Sequence, residues 1–141
     1  MTGPAGPLAG RRVLVVDEQE DALELTRLIL THGGAHVTTC RLPEEAIPFL
    51  ASAPFDAVIT NVGFGEDPTA GNRILHAVRQ CGGRAAVLAL TGRKEAQADL
   101  HAMGFDGVMV DPVDPFDLVG VMAAIIGGRK TGRPATTRPL L

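Results

Sequence analysis

Long apolar runs are absent from this chain of 141 residues. Its unbroken apolar stretches last only a few residues, far short of the roughly 20 that a membrane-spanning helix needs. The opening MTGPAGPLAG has neither the charged nor the apolar layout of an export signal, so a cytoplasmic protein with no membrane role is expected. Cysteine is scarce. Cys40 and Cys81 stand without metal-ligand spacing, and in a reducing compartment they read as two free thiols. His32, His36, His76 and His101 complete no ligand set with a neighbouring Cys or acid. No nucleophile and base pair occurs, and Gly63-Phe64-Gly65 follows a strand without directly opening a helix, so it is no dinucleotide fingerprint. Enzymatic activity is therefore not expected.

Basic charge is scarce outside the end of the chain. The formal net charge is −3, yet Arg129, Lys130, Arg133 and Arg138 fall in a final segment that holds no acid. The remainder is more acidic than the total suggests. Nucleic acid is not expected as a partner, because gripping phosphates needs a clustered basic surface. The segment GGRKTGRPATTRPLL is rich in Gly, Pro, Thr and Arg, and residues 128–141 read as a basic disordered tail or linker. Residues 1–10 read as a flexible arm, leaving 11–127 for one domain.

A content of 45% hydrophobic and 21% charged residues suits a single globular unit with its own core. Short β-branched runs recur at Val13 to Glu18 (VLVVDE), Asp56 to Asn61 (DAVITN), Ala85 to Thr91 (AAVLALT) and Val108 to Val110 (VMV). Each alternates with a segment of helical pattern, which predicts βα units and a parallel sheet. Helices are expected at Asp21–His32, Asn72–Gln80, Arg93–Met103 and Pro115–Ile126, the last stopped by Gly127-Gly128. A further strand is expected at Ala35–Thr39. Pro43 can open a second helix, which Pro48 should shorten or kink.

Over roughly residues 11–127 these motifs resemble the receiver domain of two-component response regulators. The resemblance implies a flavodoxin-like α/β fold. Its doubly wound parallel sheet has the order 2-1-3-4-5, helices on both faces, and a ligand crevice where strand order reverses. Asp17 and Glu18 stand where the family carries its metal-binding acids, and the Gly63 carbonyl where it supplies a further ligand. Thr91 matches the switch hydroxyl and Val108 the aromatic switch position. Asn61 falls on the phosphoacceptor aspartate and Asp111, in Asp111-Pro112, on the lysine; the loop glycine, Gly71, comes late. An amide cannot be phosphorylated as a carboxylate can, and Glu66 and Asp67 in the lengthened loop are poorly held substitutes. Three carboxylates, Asp17, Glu18 and Asp111, face no lysine. Two of them at about 4 Å repel by roughly 4 kcal/mol at an effective dielectric of 20, so one protonates, turns away or shares a cation. No cofactor is required. Mg²⁺ or Ca²⁺ on Asp17, Glu18 and Gly63 is one outcome, and neutralisation by Arg93 or Lys94 another.

The expected function is an atypical receiver, a pseudo-receiver, acting in signal transduction independently of aspartyl phosphorylation as a constitutive interaction or dimerisation module. The alternative is a receiver switched by metal, by a small molecule in the acidic crevice, or by phosphorylation at a non-standard residue. The last helix has no charge between Asp117 and Arg129. With Val119, Met122, Ala123 and Ile126 turned inward, Leu118, Val121 and Ile125 form the expected outward stripe for a second copy, a histidine kinase or an output protein.

Overall fold

The computed structural model describes residues 6–63, 69–81 and 84–130. Gly65, Glu66, Asp67 and the tail beyond Lys130 lie outside them. The elements alternate as the hydrophobic runs require: β1 Arg12–Val16, α1 Glu20–His32, β2 His36–Cys40, α2 Pro43–Ser52, β3 Ala57–Asn61 and α3 Ala70–Gln80. They continue with β4 Ala86–Thr91, a 3₁₀ turn Lys94–Ala96 running into α4 Gln97–Met103, β5 Gly107–Val110 and α5 Pro115–Lys130. All strand pairs are parallel, in the order β2-β1-β3-β4-β5.

The pleat divides the strands between two apolar layers, because successive side chains point to opposite faces. Leu14, Val16, Val58, Val87 and Ala89 pack on Ala46, Leu50, Ile74, Val78 and Leu100 of α2, α3 and α4. Val13, Val15, Ile59, Leu88 and Leu90 pack on Leu23, Leu30, Leu118, Met122, Ile125 and Ile126 of α1 and α5. Strands covered on both sides read as continuous β-branched runs, which is how the sequence presents them.

Three local expectations change. Leu118 and Ile125 are 2% and 0% exposed and Val121 is half-buried, so the outward stripe is overturned. A helix apolar all round offers no period by which to choose a face. In the fold Leu118, Met122, Ile125 and Ile126 turn inward, while Phe116, Gly120 and Ala124 reach solvent. α5 also runs through Gly127-Gly128. Two helical glycines cost about 1 kcal/mol each, and an anchor beyond them offsets this, since Arg129 Nε donates to Asp106 Oδ1 at 2.9 Å.

α2 is ten residues long with Pro48 inside it; Glu45 Oε1 secures its start by accepting from the Arg41 and Leu42 backbone N–H groups at 2.9 and 3.1 Å. Residues 6–10, assigned on composition to a flexible arm, are packed against the domain. Leu8 is fully buried beside α1 and its N–H donates to the Gly33 carbonyl at 2.9 Å, while the Gly10 N–H donates to that of Gly34 at 3.3 Å. Gly and Pro hide this role, because the segment carries a single plug rather than a periodic pattern.

At the amino end of the sheet Asp106, 9% exposed, joins four elements. Its Oδ2 accepts from the Val87 N–H at 2.8 Å and from Arg79 Nη2 at 3.0 Å, and its Oδ1 takes the Arg129 guanidinium. Arg79 also donates to the Ala85 and Gly104 carbonyls at 3.0 and 3.2 Å. This clamp ties α3 and α5 to the beginnings of β4 and β5.

Candidate functional site: an acidic crevice at the ends of the strands

Four buried residues of β1 carry the chain to Asp17, which is 4% exposed. Its Oδ1 accepts two hydrogen bonds at 2.9 Å, one from the Gln19 N–H that leads into α1 and one from Asn61 Nδ2. Burial pushes the Asp17 carboxyl above its ordinary value, nearby Asp111 and Glu18 push the same way, and the two donors oppose them. Desolvation also raises Asp111. Two of the three acids that the motif pattern assigned to one crevice thus hold a proton more tightly than an ordinary carboxyl does. Glu18 is half-buried. Its backbone carbonyl accepts from Arg41 Nη2 and Nε at 3.0 and 3.3 Å, which pins the turn between β1 and α1.

Asn61 is the last residue of β3, and the chain leaving it is closely held. Thr60 Oγ1 donates to the Asn61 carbonyl at 2.9 Å, and the Val62 N–H donates to Leu90 O at 3.1 Å. The Gly71 N–H then donates to Val62 O at 2.8 Å. A Cβ on Gly71 would lie 3.0 Å from Val62 Cα and 3.1 Å from the Asn61 and Val62 carbonyl oxygens, so this approach requires glycine.

Thr91 ends β4 with its hydroxyl accepting from the Arg93 N–H at 3.0 Å, and the Asp111 N–H donates to Thr91 O at 2.9 Å. The Asp111-Pro112 peptide is cis. Arg93 does not neutralise the acids, because its guanidinium turns to Glu95 at 3.2 Å; Lys94 is exposed.

The structure therefore brings Asp17 and Asn61 into direct contact, with Glu18 and Asp111 in electrostatic reach and Thr91 beside Asp111. Val108 is not among them: at 5% exposure it packs in the α2, α3 and α4 layer. Gly63 is exposed. Among the described residues no group of three Asp, Glu, His or Cys side chains converges as a metal site would require. Asp17 Oδ1 is already used by two N–H donors. Among the described residues these donors do not form a preassembled Mg²⁺ or Ca²⁺ centre.

Sequence reasoning missed Arg41, whose bond to Glu18 crosses 23 positions and leaves no local signal. It also missed Asp106, for which the acid immediately before a short apolar strand was the available cue. All four histidines are exposed, and Cys40 and Cys81 are free. No helix of the described residues is long and apolar enough to cross a membrane.

A doubly wound parallel sheet in the order β2-β1-β3-β4-β5, with acids just beyond β1, has the architecture of a receiver-type domain. The model of the response regulator receiver domain family matches residues 13–123, and the chain belongs to that family. It is 31% identical over 117 residues, 79% of this chain and 87% of the other, to an uncharacterized 14.6 kDa protein in the sodA1 3'region of Leptolyngbya boryana. Among solved structures it is similar to the chemotaxis response regulator CheY4 of Vibrio cholerae, with TM-score 0.73 and 25% identity, covering 82% of this chain and 98% of that one. A receiver domain protein of Clostridium thermocellum shares the fold with TM-score 0.76 at 24% identity, covering 86% and 98%.

Proposed function

We propose that this receiver domain works in two-component signalling without aspartyl phosphorylation, as a constitutive protein-interaction module and not as an enzyme. One observation carries the reading: the side chain ending β3 is the Asn61 amide, and it donates to Asp17 at 2.9 Å. A carboxylate that accepts phosphate would repel ionised Asp17 at this distance and would need a bridging cation. The amide instead closes the contact by donating a hydrogen bond to the Asp17 carboxylate. Asp111 strengthens the case. A carboxylate in the lysine's position repels an incoming phosphoryl group instead of pairing with it.

The test is incubation with acetyl phosphate and Mg²⁺ beside an ordinary receiver, followed by intact-mass measurement. The expected result is no phosphate adduct on this chain while the control is modified. An adduct would overturn the reading.

A second reading is favoured by the raised carboxyls of Asp17 and Asp111, which a cation would relieve. A millimolar divalent cation, added during thermal denaturation, would then raise the midpoint. An unchanged midpoint removes metal switching.

A further inference from the structure

We infer that the amino end of the sheet holds a binding site for a small organic carboxylate, with its apolar body in a slot between the ends of α2 and α3 and its charged head between the Arg84 and Arg129 guanidiniums. The site lies at the opposite end of the strands from the acidic crevice and is independent of the proposed function.

Leu50, Ala53, Phe55, Val78 and Cys81 line the slot together with Arg84, and its volume is about 280 Å³. A second cavity of about 170 Å³ is lined by Asp56, Ile126 and Arg129, and Phe55 and Arg84 line both. An apolar slot that meets charge at one end suits a ligand of the same layout. Ligand sites commonly run from about 300 to 1,000 Å³, so a slot at the lower bound takes a single ring or a chain of a few carbons.

Charge sets the head group. Arg84 is exposed and, among the described residues, makes no hydrogen bond or ion pair. Arg129 is held to Asp106 through Nε, which leaves its Nη groups to donate. Arg12, over the Phe55 ring at 5.4 Å, adds a third cation. Asp56, the acid lining the second cavity, already accepts from the Arg12 N–H at 2.8 Å. Two guanidiniums beside one cavity repel unless an anion lies between them, and their planar forks match the oxygens of a carboxylate.

Helix ends explain the neighbouring arginines but not Arg84. Arg79 and Arg129 stand in the last turns of α3 and α5, where a cation meets the negative end of the dipole. Arg84 belongs to no helix, and the Ala85 carbonyl beside it is taken by Arg79. A guanidinium with neither a capping role nor an ion pair, at the junction of an apolar slot and a second cation, is a group placed for a ligand.

The experiment uses the chain's own thiols. Cys81 is exposed and lines the slot, whereas Cys40 is buried and its thiol is pushed up to about 12. N-ethylmaleimide at neutral pH therefore reports on Cys81. Millimolar hexanoate or phenylacetate should slow that alkylation severalfold and raise the thermal midpoint of the full chain. Acetate, which has the head without the body, and hexylammonium, which has the body with the opposite charge, should do neither. Arg84→Gln should raise the dissociation constant for hexanoate at least about tenfold, with the unliganded midpoint unchanged because the side chain is exposed and unpaired. Cys81→Trp fills the slot and should abolish the thermal response, while Lys94→Gln, which removes an exposed cation at the other end of the sheet, should leave it intact. Protection by neither carboxylate overturns the inference, as does equal protection by acetate or hexylammonium, or an Arg84→Gln chain that responds as the parent does.

Discussion

Asn61 Nδ2 and Asp17 Oδ1 lie 2.9 Å apart, an amide donating to a carboxylate that is almost fully buried. Neutrality at position 61 lets Asp17 sit there without a counter-ion, and changing that one atom sets several effects against each other.

Asn61→Asp places a second carboxylate against Asp17. A loss of about 1 to 3 kcal/mol at pH 7 is expected, read as a lower urea midpoint and recovered on acidification or with millimolar Mg²⁺. The single variant should take no phosphate from acetyl phosphate, since Asp111 still repels it. Asn61→Asp combined with Asp111→Lys should take it, and intact mass distinguishes the two.

Asp17 and Asp111 both have folded-state pKa values raised above 3.8. A raised acid binds its proton more tightly in the folded state, so stability is lost as pH climbs from about 4 through the folded values. The isosteric Asp17→Asn should therefore stabilise the domain at pH 7 and confer no advantage near pH 4. Thermal midpoints at the two pH values check this, and an equal difference at both would exclude the effect.

Asp106→Ala removes the acceptor shared by Arg79, Arg129 and the Val87 N–H. Both arginines keep 28 to 32% of their side chains exposed, so the cost falls at the low end for a broken buried pair, about 3 kcal/mol. Equilibrium urea unfolding measures it. Hydrogen exchange should also show the last turn of α5 opening more readily than its middle.

Leu8→Ala empties a fully buried site beside Gly33. A loss of about 2 to 4 kcal/mol is expected, and deletion of residues 1–9 should cost at least as much. An unchanged midpoint would show that the segment does not contribute to the fold.

The sheet was legible because VLVV, AVIT and AVLAL are short, β-branched and closed by polar residues, so strand ends and the switch point followed from the chain itself. Asp17, Asn61 and Asp111 were legible for the same reason, each standing at or just beyond the end of its strand. The inward face of α5 was not, since LVGVMAAII has no polar side from which to take a phase. Tertiary packing against the sheet and α1 set that phase, with Leu118 and Ile125 inward and Gly120 outward. Arg41 on Glu18 and Leu8 on Gly33 depend on chain crossings that no local pattern encodes.

The bond from Arg129 to Asp106 has a mechanical meaning as well. It ties the rotation of the last helical turn to the sheet. Rotation of α5 about its own axis would have to break the guanidinium contact first. The contact between Arg129 and Asp106 therefore keys the azimuth of α5 to the sheet.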